Sequence, residues 1–194
     1  MSQTDCRLFI GAELAPTLGE WIDLNNYSDE EEFLDAVGAL QDRIKAAGHE
    51  ESSVMDTDGF GGLMRPDSSH YERAWLIHEI LEELDDTEGE AIRAWIEHRG
   101  VEYTLFANKK LRRSDEIIDD FRGDYLGTFE SEEKYAEERF TEHWDALGLE
   151  KYAESLQAYV FNHMNWERLA YDYSCDDVYY GNRDTHGVPV FARS

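Results

Sequence analysis

The chain has 194 residues, of which 44 are Asp or Glu and 18 are Lys or Arg, so its formal net charge is −26. Such a protein repels nucleic acid and anionic membranes and attracts basic surfaces, for example the grooves of DNA-binding enzymes. A hydrophobic content of 41% and an aromatic content of 13% exclude a disordered acidic tail. The charge alone is equally compatible with a salt-adapted or merely very soluble surface.

The two cysteines, Cys6 and Cys175, lie far apart and lack the C-x-x-C spacing of a redox pair or zinc site. We expect both to be reduced thiols. The first residues show no secretory signal pattern, and no apolar run reaches the length of a membrane span. These features predict a cytoplasmic protein with neither a membrane nor a nucleic acid as its partner.

Two strands and a helix are predicted at the start of the chain. Apolar, β-favouring residues bounded by glycine or asparagine predict strands over Arg7–Gly11 and Gly19–Leu24. Ser28 and Glu31 have capping-box spacing and predict the start of a helix that continues to Gly48. Its buried face is predicted from apolar residues three or four positions apart: Phe33, Val37, Leu40 and Ile44.

A third strand and two further helices are predicted next. The strand covers Ser52–Asp56, and the glycine-rich segment Gly59–Pro66 then indicates a domain boundary. One helix runs from Ser69 to about Leu84, and Thr87 with Glu90 predicts the cap of the next helix. Their inward-facing residues are predicted to be Trp75, His78, Leu81, Ile92, Trp95 and Ile96.

A short basic cluster follows the predicted helices. It consists of Lys109, Lys110, Arg112 and Arg113, and it is the only strongly basic cluster in the sequence. The sequence leaves three roles open for it: a linker, internal salt-bridge partners, or a contact across a dimer.

The last part of the chain is predicted to mix helices and strands. Ser114 begins a helix toward Phe121, a turn covers Gly123–Phe129, and Ser131 begins a helix with Ala136, Phe140 and Trp144 on one face. The remaining prediction is a helical pattern over Leu149–Tyr173 and two strands, Val178–Gly181 and Val188–Phe191.

This order of elements predicts an α+β protein made of three small domains. Residues 1–65 form an N-terminal domain with a small antiparallel sheet and a helix, residues 66–110 a central helical domain, and residues 111–194 a C-terminal mixed domain. Their net charges are −10, −6 and −10, so the whole body is acidic rather than one tail.

The sequence offers no group of residues that indicates catalysis. His78-Glu79 lacks the second histidine of H-E-x-x-H, and neither a G-x-S-x-G turn nor a catalytic cysteine signature occurs. His78 is therefore expected to be a partly buried structural histidine. We assign no catalytic, cofactor-binding or metal-binding residue and expect no cofactor; an enzyme using a carboxylate-bound divalent metal is a rival supported only by the abundance of Asp and Glu.

The outward faces of the helices suggest a different use of the carboxylates. Residues four apart on a helix rise by about 6 Å, which is of the same order as the phosphate spacing along a DNA strand. Acidic helical faces can therefore imitate a nucleic-acid backbone. The candidate residues are Asp29, Glu30, Glu32, Asp35, Glu79, Glu82, Glu83, Asp85, Asp86, Glu132, Glu133, Glu137, Glu138 and Glu142.

Several segments resemble the ArdA family of antirestriction proteins, in the family's own order. The residues that carry the resemblance are Gly19–Leu24, Glu30–Leu34, Asp56–Phe60, Asp120-Phe121, Tyr125–Phe129, Ser131–Ala136, Leu156–Tyr159, Asn165–Glu167 and Val188–Phe191. The sequence differs from the family pattern at Met55 and Thr57 and in the basic cluster.

The resemblance implies an elongated, three-domain homodimer that competes with DNA for the groove of Type I restriction-modification enzymes. It also implies that the third domain carries dimer contacts, for which Tyr125, Leu126 and Phe129 are candidates. Core packing remains an alternative role for these aromatic residues. A rival partner class is histone-like or other basic nucleoid proteins.

Overall fold

A computed structural model describes residues 5–12, 15–66, 70–149 and 154–193, without the side chains of residues 16, 145 and 154. It confirms the predicted α+β class, with eight helices and eight strands in the described chain. The chain divides into two compact units, Met1–Phe121 (unit 1) and Arg122–Ser194 (unit 2). The finer division into three domains and the elongated shape stay predictions.

Unit 1 contains a three-stranded antiparallel sheet with the strand order β2-β1-β3. The strands are β1 (Arg7–Ala12), β2 (Ala15–Asp23) and β3 (Ser52–Asp58). All three predicted strands are therefore confirmed, although β2 and β3 are longer than expected. A short 3-10 helix, Leu24–Asn26, follows β2. Leu8 and Ile10 of the central strand are fully buried.

Helix α1 (Glu30–Ala46) follows the 3-10 helix and packs against the sheet and α2. Its predicted inner face is confirmed, because Phe33, Val37, Leu40 and Ile44 are all buried. The predicted cap was wrong by one residue: the Asp29 carboxylate accepts the Glu32 backbone N–H at 2.9 Å. The Glu32 carboxylate in turn accepts the Ser28 backbone N–H at 2.8 Å.

The segment 59–66 is a loop, as predicted, and it is packed into unit 1. Phe60, Leu63 and Met64 are buried, and the Leu63 carbonyl accepts a hydrogen bond from Arg73 at 3.0 Å. The Gly59 carbonyl accepts from Arg93 at 3.3 Å. These contacts join residues of the predicted first and second domains within one compact unit.

Three helices follow this loop: α2 (Tyr71–Glu83), α3 (Asp86–Arg99) and the short α4 (Val101–Leu105). The predicted inner faces of α2 and α3 are confirmed as buried, including His78. The predicted cap of α3 was wrong, because the Asp85 carboxylate accepts the Glu88 backbone N–H at 2.8 Å. Asp85 is the last residue in extended geometry before the helix, which is the capping position, so it caps the helix before Thr87 is reached.

A two-stranded hairpin, which the sequence analysis missed, occupies the basic cluster. Strands β4 (Phe106–Ala107) and β5 (Lys110–Leu111) pair through a turn in which Asn108 and Lys109 have φ angles of 53° and 66°. The chain then enters α5 (Ser114–Asp124), whose Phe121 contacts Trp95 with ring centroids 5.9 Å apart.

Unit 2 has a second three-stranded antiparallel sheet with the strand order β6-β8-β7. Its elements are β6 (Tyr125–Phe129), α6 (Glu132–Ala146), α7 (Glu154–His163), α8 (Trp166–Asp176), β7 (Val178–Tyr180) and β8 (Val188–Ala192). The predicted turn over residues 123–129 was therefore wrong.

The helical pattern predicted over residues 149–173 is interrupted, because Asn165 caps a new helix by accepting the Arg168 backbone N–H at 2.9 Å. Helices α6 and α8 pack together over a core in which Tyr135, Val178 and Val190 are buried. The predicted face of α6 is buried at Ala136 and Trp144 and half-buried at Phe140.

Two glycines of unit 1 provide a matched test of this fold. Gly59 has φ +82°, and a Cβ there would lie 2.2 Å from the Asp5 carbonyl oxygen. We expect Gly59→Ala to lower the free energy of unfolding by at least about 1 kcal/mol. Gly38 lies in α1 with open space around it, so Gly38→Ala should raise that free energy by roughly 0.5–1 kcal/mol. Urea unfolding followed by circular dichroism measures both, and equal effects would contradict the described loop.

A second test uses His78, whose Nδ1 is buried without a hydrogen-bond partner among the described residues. Burial lowers the pKa of His78 from its ordinary 6.5, against the opposing effect of Glu82, Glu79 and Asp23. The unfolded chain therefore binds this proton more readily, and stability present above the unfolded pKa is lost as the pH falls through the folded pKa.

We expect His78→Leu to lose less stability than the wild type between about pH 7.5 and about pH 5.5. Thermal unfolding at both pH values measures the difference, and the exposed His143→Gln provides the control. Identical acid sensitivity of the wild type and His78→Leu would show that His78 does not contribute to it.

Candidate anionic surfaces

The predicted carboxylates lie at the surface of both units. Every one of them is exposed except Glu137, which is half-buried. This placement follows from the amphipathic pattern, because each helix turns its apolar face toward a core and its acidic face toward solvent. The helices α1, α2 and α6 each contribute several of these groups, while Asp85 and Asp86 lie at the start of α3.

Helices α1 and α2 bring carboxylates together in unit 1. The pKa of Glu30 is raised, first by partial burial and then by the negative charges of Glu72 and Glu79. All three side chains line one open cavity of about 540 Å³. We call Glu30, Glu72 and Glu79 the α1–α2 carboxylate group.

Sequence reasoning missed Glu72 as a member of this group. It lies seven residues before Glu79, which is two helical turns, so both side chains belong to the same side of α2. The signal was therefore present in the spacing. The approach of Glu30 from α1 depends on tertiary packing, in which Phe33 stacks on Trp75 with centroids 5.6 Å apart.

The same cavity has a basic side. Arg112 and Arg113 line it together with the α1–α2 carboxylate group. Arg113 forms an ion pair with Asp115, and the Arg112 Nη2 lies 2.7 Å from the Asp120 carboxylate. The negative surface of unit 1 is therefore interrupted at this point by bases that are already paired within the chain.

Several of the predicted carboxylates also have a structural role. Asp29 and Asp85 cap α1 and α3, where their negative charge lies at the positive end of the helix dipole. Glu79 accepts a hydrogen bond from the Trp75 indole at 3.1 Å. Substitution of these residues would change helix stability as well as surface charge.

Helix α6 carries the predicted carboxylates of unit 2. Partial burial, with a smaller contribution from Glu133, raises the pKa of Glu132. The pKa of Glu133 is lowered by hydrogen bonds, the first of them from the Ser131 side chain. Glu137 and Glu142 are paired with Lys134 at 3.0 Å and Arg139 at 2.8 Å.

Glu132, Glu133 and Glu138 make no ion pair among the residues that the structure describes. Among the described side chains of α6, the unpaired negative charge is therefore concentrated on these three.

A further acidic face, on α5, was missed. Ile117, Ile118 and Phe121 are buried, so Asp115, Glu116, Asp119 and Asp120 all point outward. The i, i+4 spacing that identified the other faces also applies to these residues. Arg112 and Arg113 make ion pairs with three of them, and Asp119 alone makes no ion pair within the described parts of the chain.

The candidate dimer residues form strand β6 at an edge of the unit 2 sheet. Leu126 is 45% exposed. Tyr125 and Phe129 are half-buried and contact Phe191 and Tyr135, with centroids 5.7 Å and 5.0 Å apart. The two aromatic residues therefore pack within unit 2, while Leu126 points to solvent.

Two further properties concern ligands and membranes. The described residues contain no group of three or more His, Cys, Asp or Glu side chains placed to hold a metal ion. Within the same residues, no helix is both long enough and apolar enough to cross a bilayer. Cys6 and Cys175 are free thiols, and burial raises the pKa of Cys6 to about 12.

Comparison with known proteins identifies the family. Neither the curated proteins nor the solved structures gave a match. The sequence model of the family described as antirestriction protein (ArdA) matches residues 15–186, which is most of the chain. The chain therefore belongs to the ArdA family of antirestriction proteins.

Proposed function

We propose that this protein imitates the charge of duplex DNA and occupies the DNA-binding groove of Type I restriction-modification enzymes. The observation that carries the proposal is the exposure of carboxylates on ordered helices: the α1–α2 carboxylate group in unit 1 and Glu132, Glu133 and Glu138 in unit 2. A groove built for phosphates presents Lys and Arg, which these carboxylates complement.

The energetics of this mode of binding are those of a polyanion. Because the helices fix the backbone that carries the carboxylates before binding, little backbone entropy remains to be lost, and counterions are released from the groove. The interaction should therefore be stoichiometric, non-catalytic and weaker at higher salt. It requires no cofactor.

We also propose that the protein acts as a homodimer joined at strand β6. Support comes from its position at a sheet edge, where backbone N–H and C=O groups are available for pairing, and from the exposed Leu126 beside them. In this arrangement Tyr125 and Phe129 stabilise the strand from within unit 2 rather than contacting the partner copy directly.

The charge proposal predicts that many exposed carboxylates each contribute a small part of the binding free energy. The test variant replaces four exposed carboxylates by amides: Asp35→Asn, Glu82→Gln, Glu132→Gln and Glu138→Gln. Its competition against labelled duplex DNA for a Type I enzyme should weaken by at least about tenfold, since four contacts of roughly 0.5 kcal/mol each, about 2 kcal/mol in all, are lost. Glu138→Gln alone should change competition by less than about threefold.

The matched control removes the same number of negative charges elsewhere: Glu50→Gln, Glu51→Gln, Glu97→Gln and Asp176→Asn. It should compete nearly as well as the wild type, and the gap between the two variants should narrow as salt rises. If both variants lose competition equally, net charge rather than these particular faces determines binding. Retention of DNA by the enzyme at saturating wild-type protein in low salt would refute the function, and a pull-down would then test basic nucleoid proteins.

The dimer proposal has its own test. Leu126→Glu should shift the protein from dimer to monomer, because a charge placed beside the strand edge must be desolvated on pairing. Leu156→Glu, at another exposed leucine of unit 2, is the control and should leave the mass unchanged. Light scattering coupled to size-exclusion chromatography measures both, and a monomeric wild type would exclude the dimer.

A further inference from the structure

The β4–β5 hairpin carries two positive charges that form no ion pair with the described acids of the chain. Lys109 and Lys110 are both exposed, and neither makes an ion pair with any residue that the structure describes. Acids outnumber bases in the chain by 44 to 18, so these two adjacent lysines form a local positive patch on an acidic molecule. Arg112 and Arg113, two and three residues after Lys110, are both paired with carboxylates of α5.

The base of the hairpin is held by Arg112, whose side chain is only 18% exposed. Its backbone N–H donates to the Leu105 carbonyl at 2.9 Å, and its guanidinium donates to the carbonyls of Thr104 at 3.3 Å and Glu116 at 3.2 Å. The bond to Asp120 completes this set. The two lysines are therefore presented on an anchored turn rather than on a freely moving loop.

Lys109 lies in a backbone conformation that is unfavourable for a lysine. Lys109 has a φ of 66°, in the left-handed region where glycine or asparagine is usual in a two-residue hairpin turn. Asn108 suits the first turn position, while the second is occupied by a long cationic side chain. Both lysines therefore lie at the tip, Lys110 being the first residue after the turn.

On this basis, and resting on the function proposed above, we propose that the hairpin contacts a patch of Asp and Glu side chains on the restriction-modification enzyme, beside its basic groove. DNA has no positive charge with which to bind such a patch. The hairpin would thus give the inhibitor a contact that DNA cannot make, in addition to those that it imitates.

A protein fits this surface better than a nucleic acid does. A duplex carries one negative charge per about 1.7 Å and would be repelled by the acidic faces of the same molecule. A protein surface can present bases to the acidic faces and acids to the hairpin at once. Such paired complementarity also fixes the orientation of two partners.

Reversing the charge of the two lysines tests this proposal, because the two possible partners predict opposite changes in competition. If the hairpin faces an acidic patch, Lys109→Glu with Lys110→Glu should weaken competition against labelled duplex by about tenfold, although the protein becomes more negative. If it faces the basic groove, the same change should strengthen competition. The control Lys45→Glu with Arg183→Glu reverses two other exposed bases and makes the same change in net charge.

A second variant separates charge from turn conformation. Lys109→Gly with Lys110→Gln removes both charges and places glycine, which adopts positive φ without strain, at position 109. This variant should fold at least as stably as the wild type and still compete less well with duplex DNA for the enzyme. Thermal unfolding of each variant provides the check on folding. The proposal is overturned if the reversal variant competes as well as or better than Lys45→Glu with Arg183→Glu, or if the neutral variant competes as well as or better than the wild type.

The outcomes distinguish this proposal from the function on which it rests. Failure of the wild type to displace DNA refutes both, whereas displacement that does not depend on the lysines refutes the hairpin contact alone. Binding of the wild type to labelled duplex in low salt without enzyme, if lost on reversal of the lysines, would assign the hairpin to nucleic acid and contradict a protein patch.

Discussion

Like-charge repulsion is the constraint on which this structure depends, because a net charge of −26 has to be held on a folded surface. Each like-charge pair at i, i+4 costs about 0.2–0.5 kcal/mol, whereas each fully buried apolar side chain contributes roughly 1.5–3 kcal/mol. On α1, the four buried residues Phe33, Val37, Leu40 and Ile44 therefore outweigh the repulsion among its exposed acids. The strength of the inner face is what permits the outer face to be acidic.

The acids differ in how much of their charge is available to a partner. The carboxylates of Asp29 and Asp85 accept hydrogen bonds that cap helices. The carboxylates of Glu137 and Glu142 form ion pairs with neighbouring bases. The α1–α2 carboxylate group instead retains its mutual repulsion: partial burial is the main cause of the raised pKa of Glu30, and the charges of Glu72 and Glu79 raise it further. A partner that brings positive charge to this group relieves a repulsion that the free protein must bear, which favours binding beyond simple attraction.

Local periodicity predicted most of the elements and their buried faces, because the burial of Phe33 or Trp95 depends on spacing along one helix. The caps were misplaced because Ser28 and Thr87 lie near aspartates that reach the helix N-termini more directly. The β4–β5 hairpin was missed because its turn uses Asn108 and Lys109 at positive φ and contains no glycine. The meeting of Glu30 with Glu72 depends on packing between two helices, which one-dimensional spacing does not encode.

The basic cluster shows how tertiary structure divides one sequence feature into two. Arg112 turns inward, where a planar guanidinium can satisfy several acceptors at once. Its four contacts, made with three neighbouring residues, hold the chain between α4 and α5. Lys109 and Lys110 carry compact, strongly hydrated charges that gain little from such a site and remain in solvent. Replacing Arg112 by lysine would therefore loosen the hairpin, while replacing the lysines by arginine would leave the internal network intact. The structural and the interacting parts of the cluster are thus separated by the chemistry of the two cations.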